Sequence, residues 1–586
     1  MTASRRTPAQ PPLPADPTFP PSLGVVGSPS WRPEPTSAVS RQILDVLAEF
    51  GIDTLFGIPG GAISSLYGAL LHRPRFRVVN AKHETGAIFM AMGHALATNR
   101  PAVVATTAGP GITNMLTGLV SAYYENLPVI VLAGEVPTAA FGRGALQEGS
   151  AAEFDAVSLV RRTTTFAAQV TRADSATALV REAVNASTSG RRGPSFLTLP
   201  LDVAAANVVD APSPRGSVHT AFDIDAAGCR QAMELLIGAR RPLLLAGSGC
   251  RSAAGRAALL RLAVAAGAPV ATSPRAKGVV PEDHPLHLGV FGFGGHESVI
   301  EYLRGGVDVV LACGADLDDF STNAWSPLLA AATAFVQVDV DIARFGRNYP
   351  IDLGLLGPVD QIVEQMLRSA PAAPRRTPPG LPGVVTQVPK RSARGALTTA
   401  EVVLTMNEIC PRDAVFTADM GEHLGIALHY LRIRDGGRFV TCLGFGSMGS
   451  GIGVAIGHQM ADPTRRTYAI TGDGCFLMFG MELATAVQHE VAVTIVIIND
   501  SRLNMCELGF RDQFGASPDL STQVIDFHQV ARGIGATAHL VTTRDELVPA
   551  LSQPARGPVV LDVRIDPDVR LDGSQRTAAL RQFTSD

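Results

Sequence analysis

The stretch "TYAITGDGCFLMFGMELATAVQHEVAVTIVIINDSR", Thr467–Arg502, decides the fold. It opens with a short apolar run that ends at Thr471 and Gly472. A helical segment follows through about His489, and "TIVIIN" then reads as a strand buried on both faces. Strand, helix, strand is one βαβ unit, and parallel strands place their carboxyl ends on one edge. Asp473, between Gly472 and Gly474, and Asp500, after Asn499, lie 27 residues apart. That spacing predicts both carboxylates at the same sheet edge. Oxygen ligands, a glycine turn and a helix amino terminus suit a hard cation holding a phosphate.

Outward from this unit the pattern repeats. "TLFGIPG", "RVVNAK", "AVVATTAGPG" and "PVIVLAG" alternate with helical segments near the amino terminus. "PLLLAGSG", "PVATS", "DVVLACGA" and "AFVQVDVD" do so in the middle, and "AVFTADMG" and "PVVLDVRID" join the Thr467–Arg502 unit. The expected class is α/β, with three doubly wound parallel-sheet domains. Residues 1–36 hold ten prolines and predict a disordered tail. The expected domains are 37–210, 217–370 and 396–570, with a linker at 371–395 and a weak break near 210–220. The chain of 586 residues carries a net charge of −4 and no long basic block, which argues against nucleic-acid binding. No apolar run reaches membrane-spanning length, and the start shows no secretory pattern. Seven scattered cysteines without a CxxC pair fit a reducing compartment, so the expected location is cytoplasmic.

The chain resembles the acetolactate synthase (acetohydroxyacid synthase) branch of the thiamine diphosphate (ThDP)-dependent enzymes. Besides the GDG unit, the resemblance rests on "FGIPGGAISSLY" (56–67), "KHETGAIFMAMGHA" (82–95), "TTAGPGITNMLTGLVSAYYENLPVIVLAGEV" (106–136), "LQEGS" (146–150), "KGVVPEDHPLHLG" (277–289), "DMGEH" (419–423) and "LGFGSMGSGIGVAIG" (443–457). It implies a pyrimidine-binding, a central and a diphosphate-binding domain. It implies Mg2+ held by Asp473, Asp500 and the Arg502 carbonyl. It implies that Glu84 hydrogen-bonds the pyrimidine ring of ThDP and that Gln147 faces the reacting carbon. Ile58, Pro59, Gly60, Pro110 and Asn114 would lie on the pyrimidine side. Gly421, Glu422 and His423 would touch the diphosphate, and Gly472, Gly474, Cys475 and Met505 would also bind the cofactor. Met448, beside Ser447, would wedge under the cofactor. Homodimers or homotetramers with active sites at the dimer interface follow from the same resemblance.

The departures are specific. Asp500 and Glu422 stand where the family commonly has amides. Gly509 stands where the biosynthetic enzymes place a tryptophan, which opens room for a larger acceptor unless Phe510 or Phe514 fills it. Phe166 replaces a family lysine. "GADLDDF" (314–320) keeps half of the flavin-binding pattern, which disfavours FAD. The expected function is a carboligase that decarboxylates pyruvate or a similar 2-oxoacid and passes the acyl-anion unit to a carbonyl acceptor. A simple 2-oxoacid decarboxylase, an FAD-linked oxidase and a non-catalytic binding protein are the alternatives left open.

Overall fold

The computed structural model describes residues 38–208, 222–369, 381, 383–554 and 556–571. The predicted tail at 1–36, the break near 210–220 and most of the first half of the predicted linker lie outside the described residues. Among the described residues, three six-stranded sheets, parallel in every pairing, are built in sequence order. The first contains β1 (Thr54–Gly57), β2 (Arg77–Asn80), β3 (Ala102–Thr106), β4 (Val129–Glu135), β5 (Phe166–Gln169) and β6 (Ser195–Pro200), in the order β2-β1-β3-β4-β6-β5. The second contains β7 (Pro242–Ala246), β8 (Val270–Thr272), β9 (His287–Val290), β10 (Val309–Cys313), β11 (Ala334–Asp339) and β12 (Leu353–Leu356), in the order β12-β11-β10-β7-β8-β9. The third contains β13 (Val415–Ala418), β14 (Arg438–Thr441), β15 (Thr467–Gly472), β16 (Thr494–Asn499), β17 (Thr537–Val541) and β18 (Val559–Arg564), in the order β14-β13-β15-β16-β18-β17. The α/β class with three doubly wound parallel sheets is therefore as expected.

Six strands join those predicted: β5, β6, β9, β12, β14 and β17. All but β6 are sheet edges. Edge strands are covered on fewer sides, so their sequences lack the continuous apolar run. "TAHLV" of β17, mostly half-buried or exposed, is an example.

The central strands follow from composition. "TIVIIN" is buried at all six positions, and β-branched side chains pack well on a pleat covered on both faces. The first and third sheets meet through the Glu84–Thr98 and Ser450–Ala461 helices. Their backbones approach so closely that a Cβ at Gly93 would lie 2.1 Å from the Val454 carbonyl oxygen, and one at Gly457 would lie 1.9 Å from that of Met90. Glycine at these positions is a packing requirement.

The helix expected to run from Asp473 to about His489 is broken. Asp473–Phe479 is followed by a single 3-10 turn, Gly480–Glu482, and then by Leu483–Gln488. The break swings Glu482 out of the helical line. Its carboxylate reaches the first sheet, where it accepts from the Lys82 and His83 amides at 3.0 and 2.9 Å.

Candidate functional site

Two sheet edges carry the candidate residues. At the first, β1 ends in Ile58, Pro59 and Gly60, and Gly60 lies against Thr107 at the end of β3. Glu84 begins its helix and is buried. Its carboxylate accepts from Asn114 Nδ2 at 3.1 Å. Asn114 closes the short Pro110–Asn114 helix, and its carbonyl accepts from the Thr85 hydroxyl. Gln147 sits in the left-handed region at φ 66, its Cβ against Gly109. Such a conformation in a non-glycine residue is uncommon and persists only where its surroundings enforce it. Here two carboxylates do so. Glu148 accepts from the Gly142 amide and the Ser150 hydroxyl, and Glu135 accepts from the Gly149 amide. Ile58–Gly60, Glu84, Pro110, Asn114 and Gln147 are thus gathered at one edge.

The third sheet presents the acids. Asp473 is the first residue of its helix, and its Oδ1 accepts from the Gly474 amide at 2.7 Å. The Ser501 amide also faces it. β15 and β16 pair with Gly472 opposite Ile498, so Asp473 and Asp500 emerge side by side. Asp500 turns back on its own chain and accepts from the Arg502 amide at 3.0 Å. Arg502 also bridges to Ser521 through the amides of Leu503 and Thr522, which leaves the Arg502 carbonyl out of that bridge. Asn499 plays a different part. Its amide donates to buried Asp562 at 2.8 Å and ties β16 to β18. Of the polar pair that ends this strand, one residue holds the sheet and the other faces the site.

Gly421, Glu422 and His423 follow β13 on the same edge, and His423 lies against Gly421 and Gly472. Glu422 accepts from Asn504 at 3.3 Å. Cys475 is buried and its thiol donates to the Met420 carbonyl. Met448 packs toward Gly474, where a Cβ would lie 3.2 Å from its Cε. Ser447 Oγ pairs with Ser121 Oγ of the first sheet's helices at 2.7 Å. Met505 packs against the core of the third sheet.

Electrostatics set this edge apart. Burial pushes the Asp500 carboxyl up to about 7, with the Asp473 charge adding to it. Burial and the Asp500 charge push Glu422 up to about 8, against the pull of Arg570. Burial raises Asp473 and lowers His423 to about 4. Asp473 Oδ2, Glu422 Oε1 and His423 Nε2 are buried with no hydrogen-bond partner among the described residues. Buried polar atoms are almost always satisfied, so three orphans at one edge point to a missing partner. A hard cation with an anionic group fits the donor set. Among the described residues no three His, Cys, Asp or Glu side chains close a metal cage, so such a cation would need backbone and ligand oxygens as well.

Two residues outside the predicted set serve this arrangement. Buried Asp419 accepts from the Gly449 and Met420 amides and the Thr471 hydroxyl, which fixes the Met448 loop against β15. Burial lifts it to about 6. Glu482 pins the two amides just before Glu84, and Thr485 donates to it at 2.8 Å. Both lie inside quoted motifs. Only the three-dimensional contact separates them from an ordinary turn acid and helix acid.

Several departures also find their places. Phe166 starts β5 and packs on the first sheet's core. Gly509 and Phe510 line a cavity where loops of all three sheets meet. Phe514 is not in that lining; it is exposed and stacks on Phe510. The second sheet has the strand order of dinucleotide-binding folds, whose ligands sit where that order reverses. Here the loops at the reversal are in contact, with the Gly249 amide donating to the Gly314 carbonyl at 3.0 Å. No helix among the described residues is long and apolar enough to cross a membrane.

Profiles of the thiamine pyrophosphate enzyme family match three parts of the chain: the N-terminal TPP binding domain at residues 37–158, the central domain at 229–366 and the C-terminal TPP binding domain at 419–563. The acetolactate synthase large subunit of Parasynechococcus marenigrum is 30% identical over 92% of this chain and 90% of its own length. The acetolactate synthase isozyme 3 large subunit of Escherichia coli is 29% identical over 92% and 95%. The solved structure of the Rhodococcus jostii RHA1 thiamine diphosphate-dependent 4-hydroxybenzoylformate decarboxylase superposes with a TM-score of 0.80 at 24% identity. It covers 90% of this chain and 99% of that one, a likeness of fold. The chain belongs to the thiamine pyrophosphate enzyme family, in its acetolactate synthase-like branch, and is a thiamine diphosphate-dependent enzyme.

Proposed function

We propose that the chain is a ThDP- and Mg2+-dependent carboligase. It decarboxylates pyruvate, or a similar small 2-oxoacid, and transfers the acyl unit to a carbonyl acceptor. The observation that carries this reading is the unsatisfied acid edge: buried, unpartnered Asp473 Oδ2 beside Asp500, at a helix amino terminus. Asp473, Asp500 and the Arg502 carbonyl would hold Mg2+ against the diphosphate. Gly421, Glu422, His423, Gly472, Gly474, Cys475 and Met505 would surround that group, and Ser447 and Met448 would support the ring system from below. Ile58, Pro59, Gly60, Pro110 and Asn114 would border the pyrimidine, and Glu84, oriented by Asn114, would hold a proton at its ring nitrogen. Gln147 would face the reacting carbon. When bound, ThDP supplies a carbon nucleophile and a sink for the electron pair left by decarboxylation. In the net reaction the C1–C2 bond of pyruvate breaks and carbon dioxide leaves. The electron pair stays with the acetyl unit and forms the new carbon–carbon bond, and the acceptor oxygen takes a proton.

Assembly as a homodimer or homotetramer, with Glu84 of one subunit serving the acid edge of another, belongs to the same reading. The exposed apolar side chains of Leu477, Met478 and Met481, just after Asp473, support it. A cytoplasmic location accords with seven free cysteines, six of them buried.

The test is incubation of the purified protein with ThDP, Mg2+ and [13C]pyruvate, alone and with aldehydes and ketones, followed by mass analysis. Acetolactate or a cross-ligated product is expected. Acetaldehyde alone would replace the reading with simple decarboxylation. Hydrogen peroxide would replace it with oxidation, and no turnover with ThDP bound would leave a binding protein.

A further inference from the structure

The cavity where loops of all three sheets meet has a volume of about 830 Å3. Pockets of roughly 300–1,000 Å3 hold ligands of drug size, so this one far exceeds the needs of a three-carbon oxoacid. Its third-sheet wall includes Met420 and Glu422 after β13, Leu443–Gly446 after β14, and Met505, Gly509 and Phe510 after β16. The ends of β13 and β16 also carry Glu422 and Asp500 of the acid edge, so the cavity adjoins the proposed cofactor site. Gly509 contributes no side chain to fill it.

The rest of the lining, drawn from all three sheets, has a definite chemistry. Tyr124 and Phe445 stack with ring centroids 5.8 Å apart at 21°, and both are nearly half exposed to the cavity. Trp325 presents its indole from a chain turn in which Asn323, Ala324 and Trp325 all have positive φ. That is a costly conformation for so bulky a residue. Among the cavity's arginines, Arg275 and Arg344 are bound to Asp316, Arg191 lies near Asp341, and Arg570 pairs with Asp512. Arg347 has no carboxylate within salt-bridge distance among the described residues. A guanidinium without a carboxylate partner among the described residues, set among exposed aromatic faces, suits a planar ligand that carries one anionic group.

We propose that this cavity is the acceptor site and that the acceptor is an aryl carbonyl compound bearing a carboxylate. The aryl ring lies among Tyr124, Phe445 and Trp325, the carboxylate meets Arg347, and the carbonyl points toward the Met420–Glu422 end. The inference rests on the carboligase reading and gives it a substrate class. The covalent step is the one already balanced: the pair released by decarboxylation of pyruvate forms the bond to the aryl carbonyl carbon, whose oxygen takes a proton. No redox partner is required.

The experiment uses the full-length protein with ThDP, Mg2+ and 4-formylbenzoate as probe. Trp325 is one of two tryptophans, the other being Trp31, so intrinsic fluorescence reports on the cavity directly. Saturable quenching by 4-formylbenzoate is expected, and the signal should be lost in Trp325→Phe. Arg347→Gln should weaken 4-formylbenzoate binding about tenfold yet leave uncharged benzaldehyde within about twofold, because only the charged contact is removed. Gly509→Trp should abolish the binding of both. With pyruvate present, the cross-ligated hydroxyketone acid should appear by mass. Acetolactate formation with neither quenching nor cross product would overturn this inference and leave the carboligase reading standing. Quenching without any carbon dioxide release from pyruvate would overturn the carboligase reading instead. Stoichiometric FAD binding that excludes 4-formylbenzoate would also overturn the assignment of the cavity.

Discussion

The first and third sheets share one strand order, yet their carboxyl edges are chemically opposite. In each, the second strand of the sequence lies at one edge, followed across the sheet by the first, third and fourth. In the first sheet, the edge offers a single candidate carboxylate, Glu84, satisfied by the neutral amide of Asn114. In the third sheet, Glu422, Asp473 and Asp500 crowd together, and two of them keep an oxygen without a partner among the described residues. Topology decides where a ligand edge lies. The few residues after each strand decide what that edge can hold. A paired, single carboxylate suits orientation and proton exchange, whereas an unsatisfied acid cluster suits a cation.

Substitutions can break this contrast, and the largest effect belongs to the first edge. Glu84→Gln should reduce pyruvate turnover by about 10²–10⁴-fold, the usual range for a lost acid–base group. ThDP affinity, measured by calorimetry, should stay within about threefold. Equal turnover would remove Glu84 from the chemistry. On the third edge, Asp473→Ala should weaken ThDP binding in Mg2+ by roughly 100-fold, as for loss of a charged contact of about 3 kcal/mol. Undiminished binding would return that residue to a turn.

Glu482 links the two edges. Glu482→Ala should lower kcat by about 10- to 100-fold through misplacement of Glu84, while the KM values for ThDP and pyruvate stay close to those of the parent protein. Glu482→Gln should recover part of the loss, because it keeps an acceptor for the Lys82 and His83 amides. A fall in thermal stability with unchanged kcat in the Ala variant would make Glu482 purely structural.

The acid cluster also sets a pH dependence. Asp500 has its folded value raised to about 7, mainly by burial. A carboxyl raised above its unfolded value of about 4 favours the protonated folded state. It therefore costs stability as pH rises from about 4 to about 7, and the cost is constant above that range. In chelator, Asp500→Asn should melt at a higher temperature than the parent at pH 8, and the gap should close toward pH 4. Saturating Mg2+ and ThDP should shrink it at pH 8. A gap independent of pH would mean that Asp500 is solvated. The smallest effect is that of Asn499→Ala, expected to lose about 1 kcal/mol of stability through its bond to Asp562, read by denaturant unfolding, with ThDP binding retained.

Much of the third edge was legible in sequence. Apolar strands covered on both faces, such as "TIVIIN", announce themselves by composition. GDG and Asp500 fall at their ends because a βαβ unit allows few other lengths. The edge strands were not legible in this way. "TAHLV" and "LGLL" keep exposed positions and borrow their order from a neighbour's hydrogen bonds. The break at Gly480–Glu482 was hidden too, since "FGMELATAVQ" is an acceptable helix by propensity.

The sequence by itself determined the class of fold, the repeated βαβ units and the acids at their ends, because these depend on local spacing and apolar runs. Only the tertiary structure decided that Glu482 holds the amides before Glu84 across some 400 residues of chain. It alone also decided that Asn499 bonds within the sheet while Asp500 faces the acid edge, and that an aromatic cavity with an arginine unpaired among the described residues adjoins that edge. The physical reason is the same in each case. Desolvation and hydrogen-bond satisfaction depend on which surfaces meet, and residues far apart in the chain set those surfaces.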